Sequence, residues 1–231
     1  MKENRREGGT SCGMSVVVHT DVEVEETVSQ IQATSSVAQL ATSFLATRDA
    51  HWAERDAALQ RLGDLVQNGA LNPSAEDYAA NLKAVIIGLV TQLPDLRSAV
   101  VRSACSALAL LVAEVGDHAS LDRPLREQVL PALISLVSNG NKVLASAGRE
   151  CLPTIVMCCH FDGMLKVLAT TLGESRHVAV RHSCCVCLLY ALQRWPIEVL
   201  STMAALLERA LVPAATDAAV EVRPLPIGVS H

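Results

Sequence analysis

The sequence predicts an all-α fold, a right-handed α-solenoid of HEAT-like helical hairpins with about four and a half repeats. Three observations carry that expectation. First, PDLRSAVVRSACSALALLV, NGNKVLASAGRECLPTIVM and ESRHVAVRHSCCVCLLYAL restate one pattern, a short polar loop running into a helix of Ala, Val, Leu and Cys. The Val-Arg pair recurs at Val101-Arg102, Val180-Arg181 and Val222-Arg223, with Ala145-Ser146 in the same place of the middle copy; the steps 101 to 145, 145 to 180 and 180 to 222 are 44, 35 and 42 residues. Such a period belongs to stacked helical hairpins. Second, half of the 231 residues are hydrophobic but only 3% aromatic. A core of Ala, Val and Leu suits closely packed helices better than a β-sandwich, and Ala and Leu are strong helix formers. Third, apolar residues fall at helical spacing in segment after segment.

Taken in order, residues 1–34 are polar and charged without a sustained helical period, and they are expected to form a disordered leader. VVVHTDVEVEE alternates briefly, but a single strand has nothing to pair with. Helical patterning begins with VAQLATSFLA and strengthens in HWAERDAALQRLGDLVQ, where Trp52, Ala58, Leu59, Leu62, Leu65 and Val66 fall near one stripe. Asn68-Gly69 ends that helix and Asn72-Pro73-Ser74 marks a turn. DYAANLKAVIIGLVTQL completes a first hairpin and stops at Pro94, because proline disfavours helix in the residue before it.

A second hairpin pairs DLRSAVVRSACSALALLVAEVG with PLREQVLPALISLVS. Pro124 fits a first helical turn, where its missing N–H is no loss. Pro131 is interior and is expected to kink the helix. A third pairs KVLASAGRECLPTIVMCC with GMLKVLATTLG, and a fourth pairs HVAVRHSCCVCLLYALQRW with IEVLSTMAALLERALV. TDAAVEVR opens a fifth that the prolines of PLPIGVSH cut short, so 35–223 reads as one domain and 224–231 as a short tail. Each hairpin needs a neighbour to bury its apolar face, so all of them stack into one solenoid.

Composition narrows the function. A net charge of -5 argues against a general nucleic-acid binder. No uninterrupted apolar run reaches about 18 residues and no apolar core follows the charged amino terminus, so neither a membrane span nor a signal peptide is expected. Eight cysteines without a secretory signal imply free thiols in a reducing compartment, the cytoplasm. Gly-rich phosphate loops, G-x-S-x-G and H-E-x-x-H are all absent from the sequence, and seven histidines are scattered; no catalysis and no cofactor is expected.

Two features remain. Cys184-Cys185-Val186-Cys187 contains a C-x-x-C near His182, and Cys158-Cys159-His160 lies one repeat earlier; i and i+3 share a helix face, as a zinc site requires. These cysteines nevertheless occupy positions where other repeats carry Ala, Leu and Val, and cysteine packs as a small hydrophobe, so core packing is the expectation and no metal is assigned. The second feature is a rim. Loops preceding equivalent helices of stacked repeats line up along one edge. They read His51-Trp52, Asp95-Leu96-Arg97-Ser98, Asn141-Lys142, Ser175-Arg176-His177 and Asp217. An aromatic with Arg and Lys in successive loops suits an acidic protein surface; the competing reading puts Trp52 in the core and leaves the charges as solvated loop ends.

From about Ser43 to Arg223 the sequence resembles a TOG domain of the CLASP family. The resemblance is carried by Phe44, by DAHWAERDAALQRL from Asp49 to Leu62, then SAVVRSACSAL, NKVLASAG and HVAVRHSCCVCLLYALQRWP, in order and at the right spacing. It implies a HEAT-repeat paddle that binds αβ-tubulin or microtubules through intra-repeat loops and acts, with other microtubule-associated proteins, in the cytoskeleton and on the spindle. By that similarity Trp52 is the aromatic of the first loop, Arg97 and Ser98 stand in the second, Lys142 in the third, and Arg176 with Arg181 in the fourth. The fifth loop departs from the pattern, with Asp217 and Glu221 where a base is expected. An adaptor that binds another protein and never tubulin is the alternative.

Overall fold

A computed structural model describes residues 21–33 and 36–223, and every regular element among them is helical. In chain order these are α1 (Asp21–Ala33), α2 (Val37–Leu40, continued by a π-helical turn Ala41–Leu45), α3 (Trp52–Gln67), α4 (Tyr78–Gln92) and α5 (Ser98–Val115). A 3-10 turn, Ala119–Leu121, leads into α6 (Asp122–Pro124), a π-helical turn (Leu125–Val129) and α7 (Leu130–Val137). Then come α8 (Lys142–Cys158), α9 (Asp162–Glu174), α10 (Val178–Arg194), α11 (Ile197–Ala214) and a 3-10 turn, Val220–Val222.

The helices form two layers. In one, α1 packs on α3, α3 on α5, α5 on α8 and α8 on α10; in the other, α2 packs on α4, and α9 packs on α11. Between the layers lies an aliphatic core that includes Leu59, Leu62, Ile86, Leu89, Leu108, Leu111, Leu133, Leu152, Ile155, Leu165 and Leu188, all essentially inaccessible. Each such side chain contributes roughly 1.5–3 kcal/mol by leaving water, which is what makes stacking obligatory for repeats that have no closed core of their own.

The hairpins close in a different register from the one the sequence suggested. Close partners are α4 with α5, α7 with α8 and α9 with α10, while α2 lies against α3. Four short loops, 46–51, 93–97, 138–141 and 175–177, are therefore turns within hairpins and not links between them. Glycine permits one of these contacts: a Cβ at Gly148 of α8 would lie 3.2 Å from the Leu136 Cβ of α7. Both layers carry an apolar stripe and linkers are short on both edges, so periodicity alone does not decide which neighbour is the partner.

The repeat itself is real but its Val-Arg marker is misaligned by one residue in part. Arg55, Val101, Ala145 and Arg181 each stand three residues after the first residue of α3, α5, α8 and α10. The structural equivalent of Arg181 is thus Val101, and Arg102 turns outward, where its Nε donates to the Ser98 carbonyl at 3.4 Å.

The expected disordered leader is corrected over 21–33. There α1 lays Val24, Thr27, Val28 and Ile31 toward the protein, at helical spacing, with Ile31 fully buried and α3 beneath it. Residues 1–20, 34–35 and the tail 224–231 lie outside the described residues. At the other end the fifth repeat, expected to be cut short, amounts among the described residues to the turn Val220–Val222, with Val222 buried against α10. Pro131, the second residue of α7, stands two residues after the π-helical turn Leu125–Val129, a widened register placed where a proline ring would clash with the preceding turn. Pro124 lies in the first turn of that helix, as expected.

By length and composition α5 is apolar enough to cross a membrane. In the fold it is the central helix of its layer, packed against α3, α4 and α8.

Candidate functional site

The edge formed by the intra-hairpin turns is built from one recurring device. In each turn a short polar side chain accepts the backbone N–H two residues on: Asp95 from Arg97 (2.7 Å), Asn139 from Asn141 (2.8 Å), Ser175 from His177 (3.2 Å) and Asp217 from Ala219 (2.8 Å). Such turns reverse the chain within a few residues and start the next helix. Where the acceptor is an aspartate, an arginine of the preceding repeat reaches it.

The first of these latches is buried. Arg55 donates from Nη1 to Asp95 Oδ2 and to Gln92 Oε1, both at 2.6 Å, and from Nε to the Ala50 carbonyl at 3.1 Å. Gln92, itself without exposed surface, donates to the carbonyls of Leu45 (2.9 Å) and Thr47 (2.8 Å). Arg48 adds a bond to the Pro94 carbonyl (3.1 Å). Loops 46–51 and 93–97 are thus held as one piece. Burial pushes the Asp95 carboxyl up, but the Arg97 N–H and the Arg55 guanidinium outweigh it and hold it below the usual carboxylate range.

The second latch is Arg181 with Asp217, bidentate at 2.8 and 2.9 Å, and Arg181 Nη1 also donates to the carbonyls of Ser175 and Arg176 at 3.2 Å. Hydrogen bonding by Arg181 and by the Ala219 N–H holds the Asp217 carboxyl low. Arg223 donates to the Asp217 carbonyl (2.8 Å), and the His182 ring to that of Glu221.

On this braced edge the sequence-predicted residues are placed as follows. Trp52 is the first residue of α3 and 40% exposed, so it is not a core side chain. His51 caps the same helix, its Nδ1 accepting the Ala53 N–H at 3.4 Å, and its ring lies 5.8 Å from the indole. Arg97 is the exposed cap residue of α5 and Ser98, half-buried, its first residue. Lys142 is the exposed first residue of α8, behind Asn141, whose Oδ1 accepts the Val143 N–H at 2.9 Å. Arg176 is exposed in the turn before α10. Arg181 differs from the rest: its guanidinium is spent on Asp217 and two carbonyls, which makes it a brace and not an outward contact. The same bond accounts for the acidic residue at position 217.

Sequence reasoning placed Leu96 in a rim loop but gave it no part in binding, and it passed over Val143 and Val178. Leu96 is 89% exposed, Val143 48% and Val178 41%. Each neighbours a rim residue at a helix start, outside the buried stripe, and that offset was the available signal.

The cysteines are core. All seven described thiols are free, and those of Cys105, Cys151, Cys159, Cys184, Cys185 and Cys187 are buried. Burial pushes Cys159 and Cys184 up to about 12. No cluster of three metal-ligating side chains occurs among the described residues.

Comparison with known proteins adds the family. The family model described as CLASP N terminal matches residues 34–225. The chain is 28% identical over 196 residues to the "CLIP-associated protein" of Arabidopsis thaliana, covering 84% of this chain and 13% of that one. It is 26% identical over 212 residues to "CLIP-associating protein 1-B" of Xenopus laevis, covering 90% and 13%. With the "CLIP-associating protein" of Drosophila melanogaster it shares 27% over 181 residues, covering 78% and 12%. The chain thus spans 12–13% of the length of these curated relatives.

Proposed function

This chain belongs to the CLASP N-terminal family, and we propose that it is a non-catalytic, microtubule-associated domain that binds αβ-tubulin through the rim of intra-hairpin turns. Trp52 is the aromatic anchor; Arg97, Lys142 and Arg176 meet acidic groups of the partner, with Ser98 beside them. By binding tubulin or the lattice it influences microtubule assembly or stability, in the cytoplasm and on the cytoskeleton. We place the binding domain at 35–223, with α1 as a cover on its first layer.

The single observation that supports this most is Trp52 itself, exposed on a loop that Arg55, Gln92 and Asp95 hold rigid. A large side chain that loses little freedom on docking is the kind that dominates interface energies. Flanking cations speed encounter with an acidic surface and make it salt-sensitive. The second reading is an adaptor that does not touch tubulin; the names of the relatives, which record association with a CLIP, favour it.

Co-elution and affinity with purified tubulin decide between them. Trp52→Glu is expected to weaken binding at least about 30-fold, the scale of a central hot spot, and Lys142→Ala by a few-fold that shrinks as salt rises. Tubulin co-elution unchanged by both substitutions, or absent in the unaltered chain, transfers the argument to the adaptor.

A further inference from the structure

We infer that the trough between α5 and α8 takes a short apolar segment of the tubulin partner, led at its rim end by a carboxylate. This rests on the tubulin reading above and assigns a second part to the same interface.

The trough exists because small residues face each other across this seam: Ser106 and Ala109 on α5, Ser146 and Ala147 on α8. They leave an open space of about 690 Å³, a size typical of sites that hold several side chains. The neighbouring seam, which Ser106 also borders, is narrower. Between α3 and α5, Ser103 Oγ donates to Asp56 Oδ1 at 2.6 Å, and a Cβ at Gly63 would sit 3.1 Å from Leu110 Cδ1. What space remains there, about 300 Å³, is bordered by Gln60, Asp64 and Ser103.

Charge sets the direction of the occupant. At the rim end stand Arg102 and Lys142, both exposed, with Val143 half-open beside them. Arg102 stands one residue past the latch position and points outward, its Nε donating to the Ser98 carbonyl at 3.4 Å, while Val101 holds the latch position itself, so no arginine reaches Asn139 as Arg55 reaches Asp95. The amino termini of α5 and α8 meet at the same end and add partial positive charge. Two turns further in stands Glu150, which accepts a hydrogen bond from Ser146 Oγ at 2.8 Å. The floor is Cys105 and Cys151, both buried. Potential therefore runs from positive at the mouth to negative within. From Lys142 to Thr154 the trough extends roughly 18 Å at 1.5 Å per residue, enough for about five or six extended residues. Lys142 belongs to both rim and trough, so a partner seated on the rim reaches the trough without a second docking event. An acidic residue over Arg102 and Lys142, followed by small or aliphatic side chains, is the complementary chemistry.

The test uses the full chain and purified αβ-tubulin. Ser106→Trp fills the trough from an exposed position and is expected to weaken binding at least tenfold with an unchanged melting temperature. Arg102→Glu is expected to weaken it at least fivefold. A benzophenone side chain at position 106 is expected to cross-link, on illumination, to an acid-led apolar segment of tubulin. If Trp52→Glu abolishes binding while Ser106→Trp, Arg102→Glu and the cross-linker leave it unchanged with no tubulin adduct, the trough is empty and the rim reading survives alone. A cross-link only to a second copy of this chain also overturns the inference. Should Ser106→Trp fail to fold, Arg102→Glu and the adduct decide. Should the unaltered chain not bind tubulin, both readings fall together.

Discussion

Two ends of the rim are fastened by the same pair of side chains at different depths. At the amino-terminal end Arg55 and Asp95 have side-chain exposures of 6% and 9%, and Gln92 with three loop carbonyls completes the network. At the carboxy-terminal end Arg181 and Asp217 are exposed at 17% and 14%, bidentate, and closed only by backbone. Between them the turns use Asn139 and Ser175, whose side chains hold their own backbone and take no arginine from the preceding repeat, because Val101 and Ala145 occupy the latch position. Depth decides what each latch does. A buried pair mainly contributes specificity of geometry, since removing one member leaves an uncompensated charge. A pair that is only part-buried keeps some access to water and is less costly to break. The loop carrying Trp52 is therefore the rigid one, and that carrying Arg176 the more adaptable.

Breaking the buried latch has the largest expected effect. Arg55→Met keeps length and removes every donor, leaving Asp95 and Gln92 short of partners. A loss of about 3 kcal/mol is expected, a fall in Tm of roughly 6–12 °C for a chain of this size. The loss depends on pH in a defined direction. The Asp95 carboxyl is held below its ordinary value in the fold, so its contribution is complete above the unfolded carboxylate pKa of about 4 and disappears as pH falls through the folded value. The gap in Tm between the unaltered chain and Arg55→Met is expected to narrow between pH 7 and pH 3. A gap constant across that range means the pair is not the source.

Breaking the shallower latch sharpens the contrast. Arg181→Met is expected to lower Tm by less than Arg55→Met. Its effect is local: amide exchange should rise in 215–223 and in the turn 175–177, which Arg181 ties together, while loops 46–51 and 93–97 stay protected. Equal losses from the two substitutions, or exchange spreading to loop 46–51, would remove the distinction between a rigid and an adaptable end.

How much of this was legible in the sequence follows from what each signal measures. Long helices with an apolar stripe, α3 through α11, declared themselves because periodicity and burial are the same fact seen twice. Partnership did not, since a stripe says that a face is covered and not by which neighbour; the hairpin register came out one helix away. In α1 the stripe Val24, Val28 and Ile31 was present, but acidic residues between its members gave the segment an alternating look. The rim turns lie where the repeat put them, before equivalent helices, because the repeat fixes where each of those helices begins. Whether Trp52 faces in or out depends on the loop that carries it, and that loop is held by Arg55, Gln92 and Asp95, up to 40 residues apart. Arg181 looked like its neighbours in sequence for the same reason: its partner lies 36 residues on.

The smallest expected effect tests the middle of the rim. Asn139→Asp places in the third turn the carboxylate that the second and last turns already have, but opposite Val101 and not an arginine. The Asn141 N–H keeps its acceptor, the site is exposed, and the helix that follows welcomes a negative charge near its amino terminus. The opposing factors are small, so Tm is expected to move by no more than about 1–2 °C, within about 0.5 kcal/mol. A loss as large as that of Arg181→Met would mean that a carboxylate at this place is costly without its arginine even in water. The latches would then be required by the aspartates. A near-zero result means the reverse: the turn needs only an acceptor, and the arginines are there to fix one loop against the next.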